Sequence, residues 1–271
     1  MAAQTGIAEV NGAQLYYEVA GEGQPFVMIH AGIADHTMWD SQFEHFAKTY
    51  KVVRYDMRGY GKSAPVAADY QRHEDLRAVM DYLGIDHAIV MGCSMGGGAA
   101  MNFALDYPAR ADALIMVGSG PAGFGYDDWS PSPLDEEMEA AYEQGDLARV
   151  NEIGLRIFVD GQGRTPDQVD PALRKKVYDM NMIALQNEGK MGKDTARPVP
   201  AVQQLGNLKM PVLIVMGDLD EEYIHRSSAF MAENIAGAKK VVMPGTSHLP
   251  NMEFPNEFNA HVEAFLDGIG K

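Results

Sequence analysis

Ser94 is the first residue whose surroundings suggest chemistry. It stands in Gly92-Cys93-Ser94-Met95-Gly96, directly after the apolar run HAIVMG and at the start of MGGGAAMNFALDYP. A strand, a sharp turn and a helix are expected in that order, which is the context in which G-x-S-x-G forms a nucleophile elbow. The glycines permit a turn so tight that a side chain at either flank would strike the neighbouring strand or helix. The turn lifts the Ser94 hydroxyl above the sheet edge, and the helix beginning at Met95 adds the positive field of its N-terminus. The plainer alternative, a glycine-rich turn with an incidental serine, fits this position less well. A serine hydroxyl is a weak nucleophile at neutral pH, so it needs a base, and the base needs a carboxylate to hold its tautomer. The chain offers eight histidines, and the loop after PVLIVMG offers Asp218, Asp220, Glu221 and Glu222, which residue type alone does not sort. Cys93 reads as packing beneath the elbow, not as a thiol nucleophile.

Other patterns carry less. Arg58-Gly59-Tyr60-Gly61-Lys62-Ser63 ends like a phosphate-binding loop, but G-x-x-x-x-G-K-[ST] requires glycine where the chain has Asp56. No H-E-x-x-H and no close Cys/His set occurs, so a catalytic metal is not indicated. Met138, Met180, Met182 and Met191 fall in one region and are candidates to line an acyl pocket, although ordinary packing is the commoner role for methionine.

The elements that must hold these residues follow from periodicity. Alternation in IAEV and QLYYEV on either side of Asn11-Gly12 predicts an antiparallel hairpin. PFVMIH, KVVRYD, HAIVMG, ADALIMVG, PVLIVMG and KKVVMPG read as strands covered on both faces, as in a parallel sheet. Helical stretches near residues 39–48 and 72–83 alternate with them. Between Gly120 and about Lys209 strand signals vanish. There Asp146-Leu147 and Asp170-Pro171 look like helix starts, and Leu173, Val177, Met180 and Ala184 recur at helical spacing. This stretch reads as a helical cap inserted between two strands.

Composition bounds the partners. A chain of 271 residues suffices for one main core plus a modest insertion. The formal charge of -16 opposes binding to nucleic acid or an anionic membrane and leaves a small uncharged molecule as the easier partner. No apolar run approaches the roughly 18 residues of a membrane span. MAAQTGIAEV lacks the basic and apolar segments of a secretory leader, and the single cysteine cannot form an internal disulfide, so a cytoplasmic home is expected.

Five segments in a fixed order, VMIHAG (27–32), DMRGYGKS (56–63), GCSMGG (92–97), GDLD (217–220) and GTSHLPNMEFP (245–255), carry a resemblance to the α/β-hydrolase superfamily, in its branch of capped esterases, cofactor-free perhydrolases and carbon–carbon bond hydrolases. The resemblance implies an α/β fold with a mostly parallel sheet and flanking helices. Its core would be residues 1–120 and 208–271, with a helical cap at 121–207. It implies the order Ser, acid, His. Within that order Gly-x-x-His selects His248 as the base, and Gly-x-x-Asp selects Asp220 as the acid, leaving Asp218 to order its loop or cap a helix. Backbone N–H groups of Met95 and Gly32 would form the oxyanion hole. Here His30-Ala31-Gly32 replaces the family's His-Gly-x, so Ile33 competes with Gly32 for that role. His30, Asp56 and Arg58 match structural positions, and Trp39 matches one that packs the first helix. Trp129, near the start of the cap, carries no assignment.

The reaction this implies is cofactor-free hydrolysis of a carboxylic ester on a small, mostly apolar substrate, through an acyl-enzyme. Carbon–carbon bond hydrolysis of a diketone-like substrate and perhydrolysis use the same three residues. Relatives that open epoxides or remove halides use an aspartate where this chain has Ser94. A ligand receptor on the same scaffold is the reading outside catalysis, since fold alone does not imply activity. Oligomeric state is not legible.

Overall fold

The computed structural model describes residues 3–128 and 130–269. Trp129 and the first two residues of the amino-terminal stretch lie outside the described residues.

The chain opens with β1 (Gln4–Val10) and β2 (Ala13–Ala20), paired antiparallel with Val10 opposite Ala13. Asn11 and Gly12 turn between them at φ of 48° and 73°, the two positive values a tight hairpin needs. Next come β3 (Pro25–Ile29), α1 (Asp40–Phe46), β4 (Lys51–Tyr55), α2 (Arg72–Tyr82), β5 (Ala88–Cys93), α3 (Met95–Asp106) and β6 (Ala111–Val117). The described strands form one eight-stranded sheet in the order β1-β2-β4-β3-β5-β6, continued by β7 (Val212–Gly217) and β8 (Lys239–Met243). From β4 to β8 every pairing is parallel.

Alternate residues of the central strands feed two cores. Val27, Val90, Leu114 and Ile214 pack with Leu76 and Val79 of α2 and Met101 and Phe103 of α3. Phe26, Ile89, Ile115 and Leu213 face the other way, toward Phe43 and Phe46 of α1. With them pack Phe258 and Val262 of the carboxyl-terminal helix (Pro255–Ile269). That is why these runs are continuously apolar: both faces of each strand are dry. Each such side chain contributes about 1.5–3 kcal/mol on burial. β8 departs from the expectation. It is the sheet edge, with Lys239 and Lys240 exposed and Val242 44% exposed, and edge lysines discourage pairing with another strand. Trp39 is fully buried against Phe258, joining the start of α1 to the carboxyl-terminal helix.

Between β6 and β7 the described elements are helical, chiefly α4 (Pro133–Glu143), α5 (Leu147–Leu155), a π-helical turn (Arg156–Asp160) and α6 (Pro171–Glu188). Their starts are fixed by side-chain caps. Ser132 and Asp135 form a capping box, Asp146 accepts from Arg149 N–H, and Asp170 accepts from Ala172 N–H after placing Pro171 in the first turn. Val177 and Met180 of α6 are buried in the second core, and Ala141, Val150, Ile153 and Ile157 make a small cluster of their own. Among the described residues no helix is long and apolar enough to cross a membrane.

Candidate active site

Parallel strands present their carboxyl ends along one edge of the sheet, where loops can converge. β5 runs into Ser94, the loop after β7 carries Asp220, and the loop after β8 carries His248. Ser94 has φ 51° and ψ -114°, a conformation uncommon for a residue with a side chain and characteristic of strain kept at functional positions. The flanking glycines are obligatory. A Cβ at Gly92 would lie 2.2 Å from the Gly96 carbonyl oxygen, and one at Gly96 would lie 2.4 Å from the His30 carbonyl oxygen. Ser94 N–H donates to Val117 of β6 at 2.8 Å, and Ser119 Oγ donates to the Ser94 carbonyl at 2.9 Å, so both sides of the elbow are tied to the neighbouring strand.

His248 and Asp220 are brought together. The Asp220 carboxylate accepts from His248 Nδ1 at 2.9 and 3.0 Å, and its Oδ1 also accepts from Glu221 N–H at 2.8 Å. Asp220 is completely buried and His248 nearly so. Burial disfavours the charged ring, but the charge and hydrogen bond of Asp220 and the charge of Glu221 outweigh it and hold His248 above the ordinary histidine value. With Nδ1 bonded to a carboxylate, Nε2 is the nitrogen left to exchange a proton. Among the described residues no hydrogen bond joins Ser94 Oγ to that ring; such contacts are often long without substrate and tighten when it binds. Cys93 is buried under the elbow with its thiol 3.7 Å from the His248 carbonyl oxygen. Burial, reinforced by the charge of Asp220, pushes that thiol well above the usual range, so it has no access to thiolate chemistry.

Asp218 sits elsewhere. It is exposed, and its Oδ1 accepts from Gly245 N–H at 2.6 Å, bracing the His248 loop against the acid loop without touching the imidazole. In the loop after β3, Gly32 and Ile33 line a cavity together with Met95. The N–H groups of Gly32 and Met95 donate to no backbone acceptor among the described residues, and a Cβ on Gly32 would meet the Met95 side chain at 2.8 Å. The Ala31 methyl, unusual at that place, is buried in the second core. His30 is structural: Met57 N–H donates to its Nε2 at 2.9 Å, so the proton lies on Nδ1, which donates to the Ala31 carbonyl at 2.8 Å.

The charged residues of the DMRGYGKS loop tie it to itself and to its neighbours. Asp56 accepts from His36 N–H and Lys62 N–H, both at 2.8 Å, and Arg58 grips Asp75 through two hydrogen bonds of 2.6 and 2.8 Å. Asp35, His36 and Asp56 converge closely enough to resemble a metal site. However, Asp35 Oδ1 is engaged by Thr37 N–H and Oγ1, and Asp56 Oδ1 by His36 backbone and ring, so these atoms already serve the loop.

Sequence reasoning missed the contacts made by the insertion. Phe158, on the π-helical turn, packs against the His248 ring with centroids 5.0 Å apart and the two planes tilted by 46°. Arg164 follows it and donates to the carbonyls of Val159, Asp160 and Gly245 and to Glu253 Oε2 at 2.7 Å. Glu253 Oε1 accepts from Ser247 N–H at 2.6 Å, next to His248. Gln162 N–H reaches the Leu219 carbonyl at 2.8 Å, next to Asp220. The only signal in the sequence was Glu253 inside GTSHLPNMEFP; nothing local marks a π turn. A cavity of about 380 Å³ opens beneath the insertion, with Phe158, Met138 and Met191 in its wall. Met180 and Met182 are not part of that wall; Met180 is buried, with its Sδ 3.2 Å from Thr37 Oγ1. A second cavity of about 300 Å³ has Ser94 and Ser119 in its wall and shares Met95 with the first.

With this geometry in place, comparison with known proteins is direct: the chain belongs to the alpha/beta hydrolase fold family, the match running over residues 24–255. It is 26% identical over 269 residues to the 2-hydroxy-6-oxo-6-phenylhexa-2,4-dienoate hydrolase of Burkholderia cepacia, covering 93% of this chain and 91% of that protein. It is 27% identical over 259 residues to a pimeloyl acyl-carrier protein methyl ester esterase of Yersinia enterocolitica, covering 93% and 97%. The solved structure of an N-acyl homoserine lactone degrading enzyme superposes with a TM-score of 0.78 at 26% identity, covering 96% of this chain and all of that one. The first of these relatives is a hydrolase, the second an esterase and the third a lactone-degrading enzyme, so the compounds they act on differ.

Proposed function

We propose that the protein hydrolyses carboxylic esters of small, uncharged, mostly apolar molecules through an acyl-enzyme on Ser94. The observation that carries this reading is the buried His248–Asp220 pair at the same sheet edge as the strained Ser94 elbow. Ser94 Oγ attacks the ester carbonyl while His248 Nε2 takes its proton. Asp220 keeps the Nδ1 proton in place and stabilises the imidazolium. The oxygen that gains charge is met by the N–H groups of Met95 and Gly32, donors fixed before the reaction starts. His248 returns the proton to the leaving alcohol, and water, activated by the same ring, releases the acid. Residues 121–207 act in this scheme as a cap on a core made of 1–120 and 208–271, with Phe158 excluding water from His248. No cofactor or metal takes part. With one buried cysteine, a cytoplasmic place of action agrees with this chemistry.

Turnover of a short p-nitrophenyl ester tests the proposal; a receptor on this scaffold would bind without turnover. The likeness to a dienoate hydrolase supports a second reading, carbon–carbon bond cleavage of a diketone-like substrate by the same residues. Side-by-side rates on esters and diketones separate the two.

A further inference from the structure

Asn181 lies on α6, is 6% exposed, and shares the wall of the 380 Å³ cavity with Gly32, Met95 and Phe158. Its amide orientation follows from its neighbours. Asn151, fully buried on α5, donates from Nδ2 to the Tyr178 carbonyl at 2.9 Å, and a carbonyl can only accept. Asn151 therefore turns its Oδ1 the other way, where it accepts from Asn181 Nδ2 at 2.9 Å. That leaves Asn181 with its Oδ1 pointing away from Asn151. Among the described residues no donor reaches this oxygen, and it is not among the side-chain atoms sealed inside the protein, so it opens on the cavity.

Several of the charged and hydroxyl groups around it are engaged with one another, while Arg72 Nε has no partner and the Tyr70 hydroxyl makes no hydrogen bond among the described residues. Arg58 is held by Asp75, Arg72 by Asp194, and Tyr142 donates to Glu188, which is itself exposed. Much of the remaining wall is apolar, including Met138, Val150 and Leu185. A substrate that filled this space with hydrocarbon alone would displace water from the Asn181 oxygen and leave it bare, which is unfavourable. A carboxylate would set oxygen against oxygen. A hydroxyl or amide N–H would meet it directly.

We propose that Asn181 is a specificity-determining residue whose Oδ1 accepts a hydrogen bond from one uncharged donor on the substrate, a hydroxyl or a secondary amide N–H. The inference rests on the ester-hydrolase reading and narrows it: the preferred esters are largely apolar but carry one such donor in the part bound beneath α5 and α6. Sites built to bond a donor discriminate strongly against the analogue that lacks it.

The test is calorimetric binding to the Ser94→Ala protein, which does not depend on turnover. Two matched series of esters serve as probes, with the donor moved one carbon at a time along the acyl chain. One pairs each hydroxyl with its methyl ether, and the other pairs each secondary amide with its N-methyl amide. In at least one series the donor member should bind about tenfold tighter or more at one position. Asn181→Leu should bring that pair within about twofold while the blocked member binds as before. Because Asn181→Leu also strands Asn151 Oδ1, its folding is checked by thermal melting, and a donor preference that survives the substitution in the folded variant overturns the inference by assigning the acceptor to another group of the wall, such as Glu188 or Asp194. Equal affinities within every pair overturn the inference. A clear donor preference in binding, together with no hydrolysis by the unmodified enzyme, upholds Asn181 and overturns the hydrolase reading instead.

Discussion

A Cβ placed on Gly92, Gly96 or Gly217, in the strands and loops that carry Ser94, Asp220 and His248, would lie 2.2–2.4 Å from a backbone oxygen. In the insertion, Gly125, Gly145, Gly163, Gly189 and Gly206 have nothing within 4 Å of such an atom. Gly161 belongs with the first group: its added carbon would meet Ser247 Oγ at 2.5 Å and the Leu219 carbonyl oxygen at 2.6 Å. The core edge is thus constrained by contact almost everywhere, whereas the insertion is constrained chiefly where it touches the core. The proposed chemistry lies on the constrained side, and the few seams on the other side are the contacts that reach it.

The sharpest break in this comparison is Ser94→Ala, which should leave the fold intact and reduce ester hydrolysis by on the order of 10⁶, because the three residues act as a unit. Turnover measured alongside thermal melting checks both halves. Near-normal activity from a folded variant would end the proposed mechanism.

What could be read from the sequence follows the same division. G-x-S-x-G is legible because a crowded turn accepts few residues, whereas Asp220 and His248 are singled out among several acids and eight histidines only by the family resemblance. The Asn11-Gly12 hairpin and the parallel sheet were legible from the residues themselves, through positive φ and through strands buried on both faces. Phe158, Arg164 and Asn181 were not. They lie on helices, a π turn and a loop whose docking depends on contacts distant in sequence, 30 residues between Asn181 and Asn151 and 89 between Arg164 and Glu253, and helical spacing reports a buried face without naming what it faces. The exposure of β8 was missed because KKVVMPG resembles an interior strand, and only sheet order makes it an edge.

Within the core edge, the two acids of GDLD sharpen the contrast. Asp220→Asn keeps the shape beside His248 and removes the charge, at a cost of about 10⁴ in turnover in a comparable triad. Asp218→Asn alters only a brace to Gly245 N–H and should change turnover by less than about tenfold, roughly 1.4 kcal/mol in the barrier. Rates compared at matched folded fraction decide it. A crippled Asp218→Asn beside an active Asp220→Asn would reverse the assignment.

The seam gives the next smaller effect. Arg164→Met removes the tie from the Phe158 segment to Glu253 and thereby loosens the loop that ends in His248. A small misplacement of a catalytic group can cost up to about 10²-fold, so kcat should fall by about 10- to 100-fold while melting shows a folded protein. Glu253→Gln keeps an acceptor for Ser247 N–H and should lose less. If both variants retained full kcat, the seam would be a packing contact without influence on His248.

The smallest expected effect lies in the pH profile. Only neutral His248 can take the Ser94 proton, so kcat/KM should rise with pH through a single step at the pKa of that ring. Asp220 and Glu221 hold that pKa above the ordinary histidine value of 6.5, against the effect of burial, so the step should fall above pH 6.5. Glu221 is half-buried, and burial together with the charge of Asp220 raises its own carboxyl, so it contributes fully only once it has ionised. Glu221→Gln removes one of the charges that favour the imidazolium and leaves the Asp220 hydrogen bonds in place. The step should therefore move to lower pH, raising kcat/KM on the acidic side, while the alkaline plateau stays within about twofold. A plateau that collapsed instead would place Glu221 in direct contact with the reaction, and a step that moved to higher pH would contradict the coupling between Glu221 and His248.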